Sequence, residues 1–321
     1  GVFVDGTLVA PVPAIDGDTT VEGLRPSTTY ELRLQFLDPA TGVWTTNGPW
    51  TVATTEAMAP PTSIAALGDS ITRGFNASGF YVDWPSRSWS TGTESGVNSI
   101  YQRLLATEPA IEGNNHNLSA SGAKMAHLNG QAADAVASGA ELVTILMGAN
   151  DVCTSSEATM TPTSTYRAQF AAAMDTLSTG LPDTRVFVAS IPDVHRLWEV
   201  GHTSFAARTA WSTYRICQSL LASPTSTAAA DVERRERVRQ RVVEYNAALR
   251  DVCAEHVLCT YDDDAAFDVP FVLSDLSGWD YFHPNRPGQA KAAAALWPGI
   301  AAITTEPPSA PAEALVAAPV G

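Results

Sequence analysis

The chain has 321 residues, 45% of them hydrophobic and 17% charged, which is a globular composition and enough length for one large domain and a small one. A net charge of −15 repels phosphate backbones and anionic membrane surfaces, so nucleic acid and such membranes are not expected partners. No apolar run reaches the length of a membrane span, and no basic-then-apolar leader is present, so any signal peptide is expected to be missing from this sequence.

Residues 1–56 read as β structure. Short runs (Val2-Phe3-Val4, Thr20-Val21-Glu22, Tyr30-Glu31-Leu32-Arg33-Leu34) are separated by Asp-Gly and Pro signals. Leu32, Leu34 and Phe36 alternate with Arg33 and Gln35, the pattern of a strand with one buried face. The stretch from Leu24 to Tyr30 resembles the tyrosine corner of a fibronectin type III domain, and Gly48 to Thr55 resembles that fold's last strand. At 56 residues the segment is too short for the whole sandwich, so it is expected to begin partway through the module; the rival is an unrelated β-hairpin appendage. Residues 57–62, Ala-Met-Ala-Pro-Pro-Thr, have the composition of a linker.

From 63 to 303 strands and helices alternate. Ser63–Leu67, Leu142–Met147, Arg185–Ala189 and Val257–Tyr261 are near-continuous apolar runs, as strands covered on both faces require. Helices are expected near 123–137, 164–179, 231–252 and 287–302, with Val97, Ile100, Tyr101, Leu104 and Leu105 at helical spacing before them. The helix near 231–252 carries an apolar stripe of Val238, Val242, Tyr245, Leu249 and Val252. Its arginines 234, 235, 237, 239 and 241, interleaved with Glu233 and Glu236, read as a solvated, salt-bridged face. Residues 304–321 form a Pro/Ala tail expected to be disordered or a tether.

Four cysteines allow three pairings. Cys253 with Cys259 would close a short loop between a helix and a strand, leaving Cys153 and Cys217 to join two loops near the active face; the alternative is four buried thiols. With no C-x-x-C, the spacings do not suit zinc.

A parallel sheet carries its functional loops at the carboxyl ends of its strands. Ser70 lies there in Gly68-Asp69-Ser70-Ile71-Thr72, and Asn150 in Gly148-Ala149-Asn150-Asp151. Gly122 lies in Ser119-Ala120-Ser121-Gly122 just before a helix, and Asp280 with His283 in a loop before the last helix. Serine needs a base to take its proton and a third group to fix that base's tautomer, and these residues supply all three. The four stretches together resemble the blocks of the SGNH (GDSL-like) hydrolases over about residues 63–303, down to Pro284 after His283. The resemblance implies a flavodoxin-like three-layer α/β/α fold with a central parallel sheet, beside the small all-β segment. It implies Ser70 as nucleophile, His283 as base and Asp280 as its orienting acid, with an oxyanion hole from the Ser70 and Gly122 backbone N–H groups and the Asn150 amide. No cofactor and no metal are implied.

Plainer roles compete. Ser70 would cap a helix, Asp280 would be an ordinary loop acid beside a Ser–His dyad, and Gly122 would only end a turn. Asp69 and Asp151 read as ties between loops, and His116, His127, His195, His202 and His256 as structural or exposed. Phe75, Phe80, Tyr81, Trp84 and Trp89 after the nucleophile, and Trp198, Phe205, Trp211 and Tyr214 further on, are either pocket lining or the core of an insertion. Asp262-Asp263-Asp264 lacks the ligand spacing of a calcium loop and reads as a solvated acidic turn. The expected protein is a secreted, extracellular serine esterase. Its substrate is an ester that is lipid-like, small-acyl or an acetylated polysaccharide, so a carbohydrate acetyl esterase and a lipase or phospholipase are versions of it. The rival of another class is a non-catalytic polysaccharide-binding or adhesion protein. Oligomeric state is not legible.

Overall fold

The structure, a computed structural model, describes residues 2–10, 21, 24–26, 28–46 and 51–304. The chain forms two compact units, one carried by Gly1–Pro60 and the other by Pro61–Ile303.

The first unit is an antiparallel sheet of β1 (Val2–Val4), β2 (Thr7–Ala10), β3 (Thr29–Leu37), β4 (Trp44–Thr46) and β5 (Thr51–Thr54), in the order β2-β1-β3-β4 with β5 also paired to β3. Asp5 and Gly6, both at positive φ (48° and 82°), make the tight turn between β1 and β2 that an Asp-Gly pair favours. Tyr30 Oη accepts a hydrogen bond from the Arg25 N–H at 2.8 Å. The expected burial of β3 is not found: Leu34 and Phe36 are 53% and 50% exposed, while Arg33 and Gln35 are the more covered pair. On the same face it is Val2 and Val4 of β1, the cross-strand partners of Leu34 and Leu32, that are buried. Of the expected strand at Thr20–Glu22 only Val21 lies within the described residues, and it is not in a strand; the tail beyond Thr304 and residues Gly48–Trp50 also lie outside them.

The second unit is built on five parallel strands, β6 (Ile64–Gly68), β7 (Asn115–Asn117), β8 (Leu142–Leu146), β9 (Arg185–Val188) and β10 (Cys259–Tyr261), ordered β10-β9-β8-β6-β7. This is the flavodoxin-like order, 2-1-3-4-5 when counted along this unit. Side chains alternate between the two faces. Ala65, Leu67, Val143, Ile145, Val186 and Val188 pack on one side against α3 (Met125–Ser138), α5 (Thr163–Gly180) and α9 (Ala229–Cys253). Ile64, Leu142, Leu146 and Phe187 pack on the other against α2 (Ile100–Leu105) and α10 (Arg286–Thr304). The second unit is therefore a three-layer α/β/α fold, with helices burying both sheet faces.

Several local expectations need correction. β7 is an edge strand of sequence Asn-His-Asn, too polar and short to be seen as a strand. Val97 is buried, but in a turn ahead of α2. The stretch after β9 forms the short helices α6 (His195–Gly201), α7 (Phe205–Thr213) and α8 (Gln218–Leu221). The arginine row on α9 is only partly a solvated face. Arg237 and Arg239 pair with Glu157 and Asp193, but Arg234 caps carbonyls at the end of α8 and Arg235 is buried against the Trp198 ring, 4.5 Å from its centroid. Asp262 is likewise not solvated: it is buried and accepts from the Ser190 hydroxyl and the Ala266 N–H, tying β9 to the turn after β10.

Candidate active site

The nucleophile candidate sits where β6 turns into the short helix α1 (Ser70–Arg73). Gly68, at φ +153°, makes that turn; a β-carbon there would lie 2.4 Å from the Leu146 carbonyl oxygen and 2.6 Å from Thr72 Oγ1, so only glycine fits. Gln131 from α3 holds both polar groups of the Gly68 backbone, accepting from its N–H (2.7 Å) and donating to its carbonyl (2.9 Å). Asp69 caps α1 through the Ile71 N–H at 2.9 Å. Its second carboxylate oxygen is buried without a hydrogen-bond partner, and burial pushes the carboxyl up to about 6.

His283 and Asp280 lie on a loop that closes on itself. Leu276 bridges Pro284, the Ser277 N–H donates to the His283 carbonyl, and the Tyr281 N–H donates to the Ser277 carbonyl. Asn285 returns its side chain to the Ser274 and Leu276 carbonyls, and Trp211 donates from Nε1 to the Tyr281 carbonyl. From this platform His283 Nε2 stands 2.8 Å from Ser70 Oγ, and His283 Nδ1 stands 2.6 Å from Asp280 Oδ2. A carboxylate can only accept, so Nδ1 carries the proton and Nε2 faces the hydroxyl with its lone pair free to receive one. Burial pushes the Asp280 carboxyl up, but hydrogen bonds from His283, Asn76 and the Phe282 N–H outweigh it and hold the group below the usual carboxylate range. Gln289, at the start of α10, donates to the Ile71 carbonyl (2.7 Å) and accepts from the Trp89 N–H (2.9 Å), joining the helix after this loop to the nucleophile helix.

The three expected oxyanion donors follow adjacent strands: Ser70 follows β6, Gly122 lies in the loop after β7, and Asn150 lies on α4 (Ala149–Val152) after β8. Gly122 has φ +82° with open space where a side chain would be, so backbone conformation rather than crowding calls for glycine there. Asn150 Nδ2 donates to the Ala123 carbonyl at 3.0 Å, which fixes its amide beside the Gly122 turn and leaves its other N–H available. Asp151 is buried, its carboxyl raised by that burial, and it binds the Met125 N–H and the Thr161 hydroxyl, tying the start of α3 to α4. Two disulfides are formed, Cys153–Cys217 and Cys253–Cys259, in the pairing the spacings favour. The first anchors the end of α4 to the start of α8.

Asn76 is a functional neighbour that sequence reading missed. It is buried, with φ +56°, and donates from Nδ2 to Asp280 Oδ2 at 2.5 Å while its Oδ1 accepts from the Tyr81 N–H at 2.6 Å. The aromatic residues divide. Trp89 and Trp211 are fully buried core, whereas Phe75 sets its ring edge-on to His283 at 5.0 Å and leads to an exposed cluster of Tyr81, Phe80, Tyr214 and Trp279. Trp279, beside Asp280 in sequence, was not foreseen in this group. An apolar crevice, lined in part by Ile71, Ala149, Ile191, Phe271 and Phe282, lies at the carboxyl ends of β8 and β9. Among the described residues no cluster of three metal-ligating side chains is present, and no helix is long and apolar enough to cross a membrane. The site as a whole can transfer a proton from a serine hydroxyl to an oriented imidazole, with donor groups at neighbouring strand ends.

The sequence model of the GDSL-like lipase/acylhydrolase family matches residues 66–291. No curated protein matches the chain. Among solved structures, a protein of Parabacteroides merdae taken to be a GDSL-like lipase is 19% identical, covering 75% of this chain and 97% of its own with a TM-score of 0.47. A phospholipase A1 from Streptomyces albidoflavus is 19% identical over 77% and 100% of the two chains, TM-score 0.44. A family 3 carbohydrate esterase from Clostridium thermocellum is 14% identical over 75% and 96%, TM-score 0.44.

Proposed function

The chain belongs to the GDSL-like lipase/acylhydrolase family and is an ester-hydrolysing serine hydrolase, and from that premise we propose that it works through an acyl-enzyme on Ser70. The observation that carries this reading is the unbroken hydrogen-bonded line from Ser70 Oγ through His283 to a buried, ionised Asp280. Ser70 Oγ attacks the ester carbonyl while His283 Nε2 takes its proton. The negative oxygen that forms is met by the Ser70 and Gly122 N–H groups and the Asn150 amide. Collapse breaks the bond to the alcohol oxygen, which leaves with the electron pair and collects the proton from Nε2. Water then repeats the sequence on the acyl-enzyme, freeing the acid. No step calls for a metal or a cofactor.

The test is Ser70→Ala. Hydrolysis of p-nitrophenyl acetate should fall by roughly a million-fold in kcat, as when a triad serine is lost, and labelling by a fluorophosphonate probe should disappear. Turnover within tenfold of the parent, or labelling that persists, would refute the assignment; an unreactive parent would favour a binding protein that keeps the fold.

Carbohydrate acetyl ester and lipid ester are two versions of the substrate, and a panel pairing acetylated xylan with long-chain esters separates them. We place the enzyme outside the cell, a location that the two disulfides support, because such bonds persist in oxidising compartments. The division into a 1–56 segment, a 57–62 linker, a 63–303 hydrolase domain and a 304–321 tail is proposed with it. The Tyr30–Arg25 contact supports a partial fibronectin type III-like origin for the first segment, since a tyrosine corner bonds backbone a few residues upstream.

A further inference from the structure

Five aromatic rings run outward from the base. Phe75 lies 5.0 Å from the His283 ring and 5.5 Å from Tyr81; Tyr81 lies 6.1 Å from Phe80; Phe80 lies 5.6 Å from both Tyr214 and Trp279. The outer four are 45–77% exposed, with Val82 beside them at 46%. Large apolar side chains gathered on a surface beside an active site mark a binding region rather than core. Tyr81 adds a second sign. A bulky residue at φ +56° is a backbone outlier, and here Asn76 holds it there through the Tyr81 N–H.

Chemistry decides which half of the ester this patch meets. His283 Nε2 must hand its proton to the departing alcohol oxygen, so that oxygen and what it carries lie on the histidine side of the carbonyl. Phe75 puts the patch on that side, through its edge-on contact with the His283 ring. We propose that the aromatic patch of Phe75, Tyr81, Phe80, Tyr214 and Trp279 binds the alcohol half of the substrate, and that this half carries an apolar chain or ring. The inference rests on the acyl-enzyme reading above. Tyr81, Tyr214 and Trp279 are each inclined at 43–49° to the Phe80 ring, so a flat sugar face stacked on Phe80 could not also stack on any of these neighbours, whereas an apolar chain could touch several of them. The overall charge of −15 adds that the alcohol should carry no anionic group. In the step concerned, the Ser70 Oγ–carbonyl carbon bond forms, the carbon–alcohol oxygen bond breaks, and the alcohol leaves protonated, releasing the patch before water arrives.

The experiment holds the acyl group constant. Acetate release is followed from ethyl acetate, octyl acetate and 2-phenylethyl acetate, with ethyl octanoate as the acyl-side control and acetylated xylo-oligosaccharides as the sugar arm. The parent enzyme should prefer octyl or 2-phenylethyl over ethyl acetate by at least about tenfold in kcat/KM, the effect of desolvating two or more methylene-sized groups. Phe80→Ala combined with Tyr214→Ala should remove about tenfold from the large acetates and less than about twofold from ethyl acetate and ethyl octanoate. Both residues are half exposed, so folding is not at stake, and an unchanged melting temperature verifies it. Equal losses on every ester, a loss confined to ethyl octanoate, or a loss confined to the sugar ester would each overturn the proposal. These results leave the serine assignment untouched, because that stands or falls on Ser70→Ala. Inhibition by 1-octanol, weakened about tenfold in the double variant, reads the same site without turnover.

Discussion

Removing the side-chain donor of Asn76 probes how the acid of the site is held. Asn76→Gly is the informative change, because glycine tolerates φ +56° and so deletes the amide without adding backbone strain; Asn76→Ala would mix in a cost of about 1–2 kcal/mol for the left-handed conformation. The amide donates to Asp280 Oδ2 at 2.5 Å, the same oxygen that receives His283 Nδ1. A hydrogen bond to a charged group contributes about 1.5–3 kcal/mol, which corresponds to roughly ten- to hundredfold in rate if the imidazolium loses that support in the transition state. Because Asn76 touches neither serine nor substrate, kcat should carry the loss and KM should stay within about twofold. Stability has its own signature. Asp280 titrates below its unfolded value, so its contribution is present above about pH 4 and disappears as pH falls through the lower, folded value. The stability gap between parent and variant should therefore be full at neutral pH and shrink in acid. Steady-state hydrolysis of p-nitrophenyl acetate, with urea unfolding at pH 3.5 and 7, measures both. A folded variant with parental kcat would refute the argument that this amide supports the acid.

Asp69→Asn keeps the cap on the Ile71 N–H but removes a buried charge. A carboxyl raised to about 6 favours the fold below its unfolded value and loses about 3 kcal/mol as pH rises through 6. The urea midpoint of the variant should gain on the parent between pH 4 and 7, and parallel curves would refute this. Asn150→Ala should lower kcat by roughly 100- to 1,000-fold with little change in KM, as loss of one oxyanion donor does; a small effect would remove Asn150 from that role. Replacing Cys153 and Cys217 by Ser opens a loop spanning 64 residues and should cost about 4 kcal/mol, against about 2 for the Cys253–Cys259 loop, measured by chemical unfolding.

The sheet was legible because each inner strand is apolar on both faces, as Leu142–Leu146 and Arg185–Val188 show. β7 was not, since three polar residues at an edge carry no periodicity. Ser70, Gly122, Asn150, Asp280 and His283 could be picked out because each sits in a short motif at a loop where this topology carries its chemistry. Asn76 could not, because its meaning lies in a contact with a residue 204 positions away and no pattern around it announces that partner. The aromatic residues show the same limit. Trp211 and Tyr214 are three apart in sequence, yet the first is fully buried within α7 and the second, just past the last residue of that helix, is 52% exposed. In the first unit the alternation was real, but burial falls on Val2 and Val4 of β1 rather than on Leu34 and Phe36 of β3, and alternation alone does not say which strand of a face is covered.

Gln289 shows what kind of object the reaction centre is. The serine rides on a rung of the ladder, and the imidazole rides on a knot of some ten residues that closes on itself; the amide of Gln289 pins one to the other. Such a joint ties durability to alignment. A shorter side chain at that pin would strand the Ile71 carbonyl and the Trp89 N–H inside the protein, at about 1–3 kcal/mol for each, so the molecule would melt earlier as it lost the register in which a proton can cross.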